Sequence, residues 1–254
     1  MSNKLIIGRR GTGKSTLAEY EAQKMNAHQI YFDPGDQFQN VERHATTIEE
    51  FQALMNEDQG APDGFHGDDW PASIAYVPPS SHVADEWDAF AAALWEYTGV
   101  HEGAASYCLV IDEAHELQSS QTINDWLARF IRRAPRRERD DPNPVDMIQT
   151  THNPQDLNRL TFSQMDQIYI FNMFDKRALK AIREQFGDEI ADEVPQLRTP
   201  KRGGRDVLIV EGETGAYEVC DNPASWFVNI RQGSSDPPLE HRMSKNLEET
   251  YGTY

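Results

Sequence analysis

KLIIGRRGTGKST, residues 4 to 16, decides the fold. KLIIG (4 to 8) is a short apolar run of strand type, and KSTLAEYEAQKM (14 to 25) follows as a helical pattern. Between them GRRGTGKS, Gly8 to Ser15, fits G-x-x-x-x-G-K-[ST], in the strand-loop-helix context that the motif requires. Glycines let backbone amides curl round phosphate oxygens, and the helix N-terminus adds partial positive charge. The candidate phosphate-binding residues are therefore Gly8, Arg9, Arg10, Gly11, Thr12, Gly13, Lys14, Ser15 and Thr16. Lys14 is expected to reach the β and γ phosphates of ATP, and Ser15 to coordinate Mg2+.

Such a loop needs a matching acid. YCLVIDE (107 to 113) is a buried strand that emerges in two carboxylates. Asp112 is the expected magnesium ligand, and Glu113, the next residue, is placed to polarise an attacking water as general base. A nucleotide kinase or a switch GTPase usually lacks that second acid, whereas ATPases that do mechanical work commonly have it. DEAH at Asp112 to His115 invites comparison with DEAH helicases, but those carry two tandem motor domains and 254 residues suit one.

Further along, short apolar runs alternate with helical patterns, the signature of an α/β fold with a mainly parallel central sheet flanked by helices. IYFD (30 to 33) is a strand closed by DPGD, and SIAYV (73 to 77) is another. MIQTT (147 to 151) and QIYIFN (167 to 172) are two more. DEWDAFAAALWEYTG, INDWLARFIRRA and DKRALKAIREQFG read as helices, the last capped by Gly187. DVLIVEGETGAYEV gives a hairpin over 206–219, turning at Glu213 to Gly215. The ATPase domain is expected over 1–219 with a Gly-, Pro- and Asp-rich surface insertion at 56–72, and 220–254 as a tail, docked or partly disordered. Asp33 either approaches the nucleotide or only turns the chain.

Thr151 and His152 stand at the tip of MIQTT, where P-loop ATPases of the additional-strand group present a polar sensor of the γ-phosphate. His152 can equally be a turn residue before Asn153-Pro154.

RFIRRAPRRER, 129 to 139, places six arginines within eleven positions of a chain whose formal net charge is -18. Arg132, Arg133, Arg136 and Arg137 are candidates for an arginine acting in trans on a neighbour's nucleotide, for the lining of a ring's pore, or for both. The plain alternative is a solvated basic helix end favoured by the helix dipole. RTPKRGGRD (198 to 206) is a second basic loop, either tracking a nucleic-acid backbone or simply an exposed turn.

Net charge of -18 would normally exclude a nucleic-acid partner, so any DNA contact must be local to the arginine-rich segments. Lysine supplies only seven of the 24 basic residues, and a Lys-poor acidic surface is either an adaptation to concentrated salt or ordinary solubility. No apolar run approaches the ~18 residues of a membrane span, and MSNKLIIGRR does not read as a secretory signal. A cytoplasmic location is expected. Two cysteines, Cys108 and Cys220, make neither a disulfide framework nor a metal site.

In their order, IIGRRGTGKST, YFDPGDQF, LVIDEAH, the arginine-rich stretch and IQTTHNPQDL resemble the HerA/FtsK superfamily of ATPases. They look most like the genome-packaging ATPases of membrane-containing, double-jelly-roll viruses, over about residues 4 to 200. The resemblance implies a RecA-like motor of the additional-strand type that assembles into a hexamer or similar ring and drives double-stranded DNA through its pore with ATP and Mg2+. Lys14, Ser15, Asp112 and Glu113 carry over as phosphate binder, two magnesium ligands and general base. The departure is His152, where the superfamily often has Gln after Thr. The resemblance also implies host cytoplasm or the packaging vertex as the place of action, with capsid-vertex or membrane proteins as docking partners. The alternatives are a HerA-like translocase of repair, replication or conjugation, a P-loop small-molecule kinase with an arginine lid, and a nucleotide-dependent binding module. Relatives of the repair and conjugation kind usually carry N-terminal domains, and a phosphate loop beginning at Gly8 favours packaging.

Overall fold

Successive residues of the apolar runs face opposite sides of one sheet, and both sides are covered. The computed structural model describes residues 3–25, 27–38, 40–59, 73–79, 83–100, 107–133, 145–199, 206–220 and 241–243. Seven strands run parallel: β1 (Asn3–Ile7), β2 (His28–Phe32), β3 (Arg43–Ala45), β4 (Ser73–Tyr76), β5 (Tyr107–Ile111), β6 (Val145–Thr151) and β7 (Gln167–Phe171). Three more extend one edge in antiparallel fashion: β8 (Val207–Glu211), β9 (Tyr217–Cys220) and β10 (His241–Met243). The order is β10-β9-β8-β7-β1-β6-β5-β2-β4-β3, so β6 is inserted between the strand that leads into the phosphate loop and the strand that ends in Asp112.

Leu5, Ile7, Ile30, Phe32, Leu109 and Ile111 point to one face, and Ile6, Tyr31, Cys108 and Val110 to the other. A strand buried on both faces cannot alternate apolar with polar residues, which is why these runs are continuously hydrophobic. Helix α1 (Lys14–Lys24) covers the second face through Leu17, Ala18 and Tyr20. On the first face lie α2 (Ile48–Gln59), α3 (Val83–Val100), α4 (Asp125–Arg133), α5 (Arg159–Ser163), α6 (Lys176–Phe186) and α7 (Asp188–Glu193). Its core is aromatic: Phe90 stacks on Tyr76 with centroids 5.5 Å apart, and Trp87 meets Phe32 edge-on at 5.1 Å. Such pairs add about 0.5–1.5 kcal/mol each beyond area burial, and here they pin α3 to β2 and β4.

The expected strands and helices are present, with shifted ends. Strand β2 stops at Phe32, because Asp33 turns inward to accept the backbone N–H groups of Gln37 and Phe38 at 2.9 Å each. The insertion expected to begin at 56 starts inside α2; residues 60–72 lie outside the described ones. Helix α2 opens on a capping box, in which Thr47 Oγ1 accepts from Glu50 N–H and Glu50 Oε2 accepts from Thr47 N–H. The hairpin joins β8 to β9, and Gly187 closes α6 by donating its N–H to the Arg183 carbonyl. Beyond Cys220, β10 pairs with β9, and the remainder of the tail lies outside the described residues. Cys108 and Cys220 are buried thiols. Among the described residues no helix is long and apolar enough to cross a membrane.

Candidate functional site

All the parallel strands deliver their C-terminal ends to one rim of the sheet, and the candidate residues meet there. The loop after β1 is tight at both ends. A Cβ on Gly8 would come within 2.7 Å of Phe171 Cβ and of Thr12 Oγ1, so the loop can lie against β7 only with glycine at that position. Gly13 adopts φ 103° immediately before α1, which turns the chain into the helix. The Arg9 carbonyl closes the loop by accepting from Thr12 N–H at 3.3 Å, Thr12 Oγ1 at 2.8 Å and Lys14 Nζ at 3.5 Å. Arg9's guanidinium points elsewhere, donating to Asn172 Oδ1 at 3.2 Å and lying over the Phe174 ring at 5.0 Å. Arg10, Gly11, Gly13, Lys14, Ser15 and Thr16 line a cavity of about 840 Å³, which has room for a nucleotide's phosphates. Lys14 is buried, and desolvation pushes its pKa down although Glu113 and Asp112 draw it back up.

Across the cavity stand Asp112 and Glu113, with Pro34, Gly35 and Gln37 of the DPGDQF turn beside them. Asp33 holds this turn and is not itself among the residues lining the cavity; Pro34, Gly35 and Gln37 of the turn are. Asp112 accepts from Thr150 Oγ1 at 2.6 Å, and Thr150 Oγ1 in turn accepts from Glu113 N–H at 3.3 Å. Burial pushes Asp112 up to about 6 in spite of the Thr150 bond, with Glu113 and Asp33 adding to the rise. A buried carboxylate raised in this way, in one cavity with the Ser15 hydroxyl, suits a hard, oxygen-seeking cation such as Mg2+. Asp112 and Ser15 are the side chains that would hold it, and its charge would offset the cost of burying the carboxylate.

The fold favours the uncharged acid, so this group's contribution to stability is full below the ordinary value of 3.8 and is lost as pH rises through about 6. Asp112→Asn keeps an oxygen for Thr150 and removes the charge. At pH 7.5, free of metal and nucleotide, it should melt roughly 5 °C higher, from a gain on the order of 2 kcal/mol. Melting curves at pH 4 and pH 7.5 check this: the gain should vanish at the lower pH.

Glu113 has a left-handed backbone, φ 49° and ψ 49°, unusual for a residue with a side chain and frequent where geometry serves a function. Its Oε2 receives the His152 ring Nδ1 at 2.8 Å and the His152 backbone N–H at 3.3 Å, and stands 3.4 Å from His115 Nδ1. Thr151 ties this group to the phosphate loop, since its carbonyl accepts Gly8 N–H at 3.0 Å and its hydroxyl lies 3.2 Å from His115 Nδ1. His152 is therefore joined to the second acid by two hydrogen bonds. Thr150 and His115 were the parts of this network least visible in sequence, although the TT pair at a strand tip and the His of DEAH were the available signals.

The arginines divide. Arg129 and Arg132 are exposed on α4, Arg129 over the Trp126 ring at 4.6 Å, while Leu127, Phe130 and Ile131 of the same helix are buried. Asn124 Oδ1 caps α4 by accepting from the N–H groups of Trp126 and Leu127. Arg133 is its last residue, and Arg136 and Arg137 lie outside the described residues. Of the second basic loop, Arg198 pairs with Asp206 at 2.9 Å, and 200–205 lie outside the described residues.

A phosphate-loop strand, an acid-bearing strand and a third strand between them define a P-loop ATPase of the additional-strand type. The model of the AAA family, "ATPase family associated with various cellular activities", matches residues 4–173, and the chain belongs to that family. No curated protein sequence matches it. Among solved structures the fold is shared with the genome packaging NTPase B204 from Sulfolobus turreted icosahedral virus 2 in complex with ATP-gammaS, at 17% identity and TM-score 0.61, covering 86% of this chain and 95% of that one. It is also shared with VirB4 of Thermoanaerobacter pseudethanolicus, at 13% identity and TM-score 0.53, covering 84% and 87%. At these identities the likeness is one of fold.

Proposed function

We propose that the chain is an ATP-driven translocase of double-stranded DNA, and specifically a viral genome-packaging motor that works as a ring. The observation that carries the hydrolytic part is the pairing of Glu113 with His152. Asp112 is the acid positioned for the metal, which leaves Glu113 for water, and the tip of the inserted strand is bonded to it at 2.8 Å. Lys14 binds the β and γ phosphates, Ser15 and Asp112 hold Mg2+, Glu113 takes the proton of the attacking water, and His152 relays the state of the γ-phosphate.

The mechanical part is supported by the likeness of fold to a viral genome packaging NTPase over nearly the whole of both chains. It is supported also by exposed arginines on α4 in an otherwise acidic protein. Ring assembly, with Arg132, Arg133, Arg136 or Arg137 reaching a neighbour's nucleotide or the DNA, belongs to this reading, as does action in a host cytoplasm at a capsid vertex. In concentrated salt, counterion release would add little affinity for DNA, and enclosure by a ring would do the holding.

Displacement of a third strand from duplex DNA tests it. ATP-dependent release independent of the duplex sequence is expected, and release in the absence of ATP, or none under conditions of active hydrolysis, would contradict translocation. The nucleotide site has its own check: Lys14→Ala should weaken ATP binding by about tenfold to a hundredfold, the loss of one or two charge-assisted hydrogen bonds. Equilibrium binding of a fluorescent ATP analogue measures it, and unchanged affinity would remove Lys14 from the phosphates.

A further inference from the structure

Glu113, His115 and His152 form a cluster in which each residue offers one donor atom within 4.8 Å of the others. Two of the separations are 2.8 and 3.4 Å, and the imidazole rings meet edge to face at 4.6 Å. A tetrahedral ion bonded at ~2.0–2.1 Å holds its donors roughly 3.3 Å apart, so adjustments on the order of 1 Å complete the set. The side chains are 16%, 11% and 24% exposed respectively, covered enough to be held and open enough for a solute to enter. Their backbones are fixed by adjacent parallel strands, Glu113 and His115 following β5 and His152 following β6.

Two imidazoles with one carboxylate do not suit Mg2+, which prefers oxygen donors and would be held by Asp112 and Ser15. We propose that Glu113, His115 and His152 form a second cation site, selective for a borderline transition metal of the Zn2+ type, with water in the fourth position. Binding consumes the lone pair of Glu113 Oε2, and the ion thereby inhibits hydrolysis reversibly while leaving Lys14 free to hold nucleotide. The inhibitory half rests on the reading of Glu113 as the base; the binding half does not.

The test uses the full chain, stripped of metal and without nucleotide. Co2+ is added and its visible absorption followed, then Zn2+ is used to compete. The natural chain should take up one equivalent with tetrahedral cobalt absorption, displaced by Zn2+. His115→Ala and His152→Ala should each weaken binding about tenfold or more, with thermal melting confirming that both are folded. No saturable uptake, or weakening by neither or only one of the two substitutions, would overturn the three-ligand site. In a separate arm one equivalent of Zn2+ should stop MgATP turnover, restored by a chelator. Turnover that continues with the site demonstrably filled would overturn inhibition and the role of Glu113 as base, while the metal site would stand.

Discussion

Glu113→Gln is expected to bind MgATP as tightly as the natural chain and to hydrolyse it about a hundredfold to ten-thousandfold more slowly, the usual worth of a positioned general base. The substitution is nearly isosteric, and its amide oxygen can still accept from the ring and backbone N–H of His152, which now both reach Glu113 Oε2. Neither the left-handed backbone at 113 nor the cavity wall needs to move. What disappears is the capacity to accept water's proton. Single-turnover hydrolysis alongside equilibrium nucleotide binding separates the two effects. A variant turning over at the normal rate would remove Glu113 from that role, and one that no longer binds ATP would make it a binding residue.

The second large effect is expected between subunits. Replacing Arg136 and Arg137 together by alanine should lower turnover about a thousandfold if either stabilises the γ-phosphate of a neighbour. A Lys14→Ala subunit has an impaired site of its own but intact arginines to lend. Mixed with the arginine variant, it should restore a measurable fraction of activity, because some sites then combine a sound loop with a sound neighbour. Rings shown by mass to be mixed, yet inactive, would count against an arginine acting in trans. Activity unaffected by the double substitution would turn attention to Arg132 and Arg133.

The fold was legible where one physical signal dominated. Strands buried on both faces show as unbroken apolar runs, and the phosphate loop is a spacing of glycines, lysine and serine that backbone geometry demands. The inserted strand was legible from the polar tip of MIQTT. Less visible were β3, at three residues too short for any period to show, and α2, whose capping box at Thr47 and Glu50 was a readable signal beside a loop-like composition. At the site, Lys14, Ser15, Asp112 and Glu113 all lie within two residues of a strand end or helix start, so their meeting follows from the topology. The bonds that join Thr150, Thr151 and His152 to Asp112, His115 and Glu113 depend on the register that pairs Ile111 with Gln149, and register between distant strands leaves no local mark. Arg198 shows the same limit from the other side: a basic residue in a basic loop, its charge is held by Asp206.

The central claim is that hydrolysis at this site is coupled to double-stranded DNA. Its most direct test is the steady-state rate of ATP hydrolysis at saturating MgATP, with and without duplex DNA of unrelated sequences, from low to molar salt. Stimulation by every duplex is expected, persisting at molar salt if the acidic, lysine-poor surface is an adaptation to it. Brisk hydrolysis indifferent to DNA at every salt concentration would contradict it.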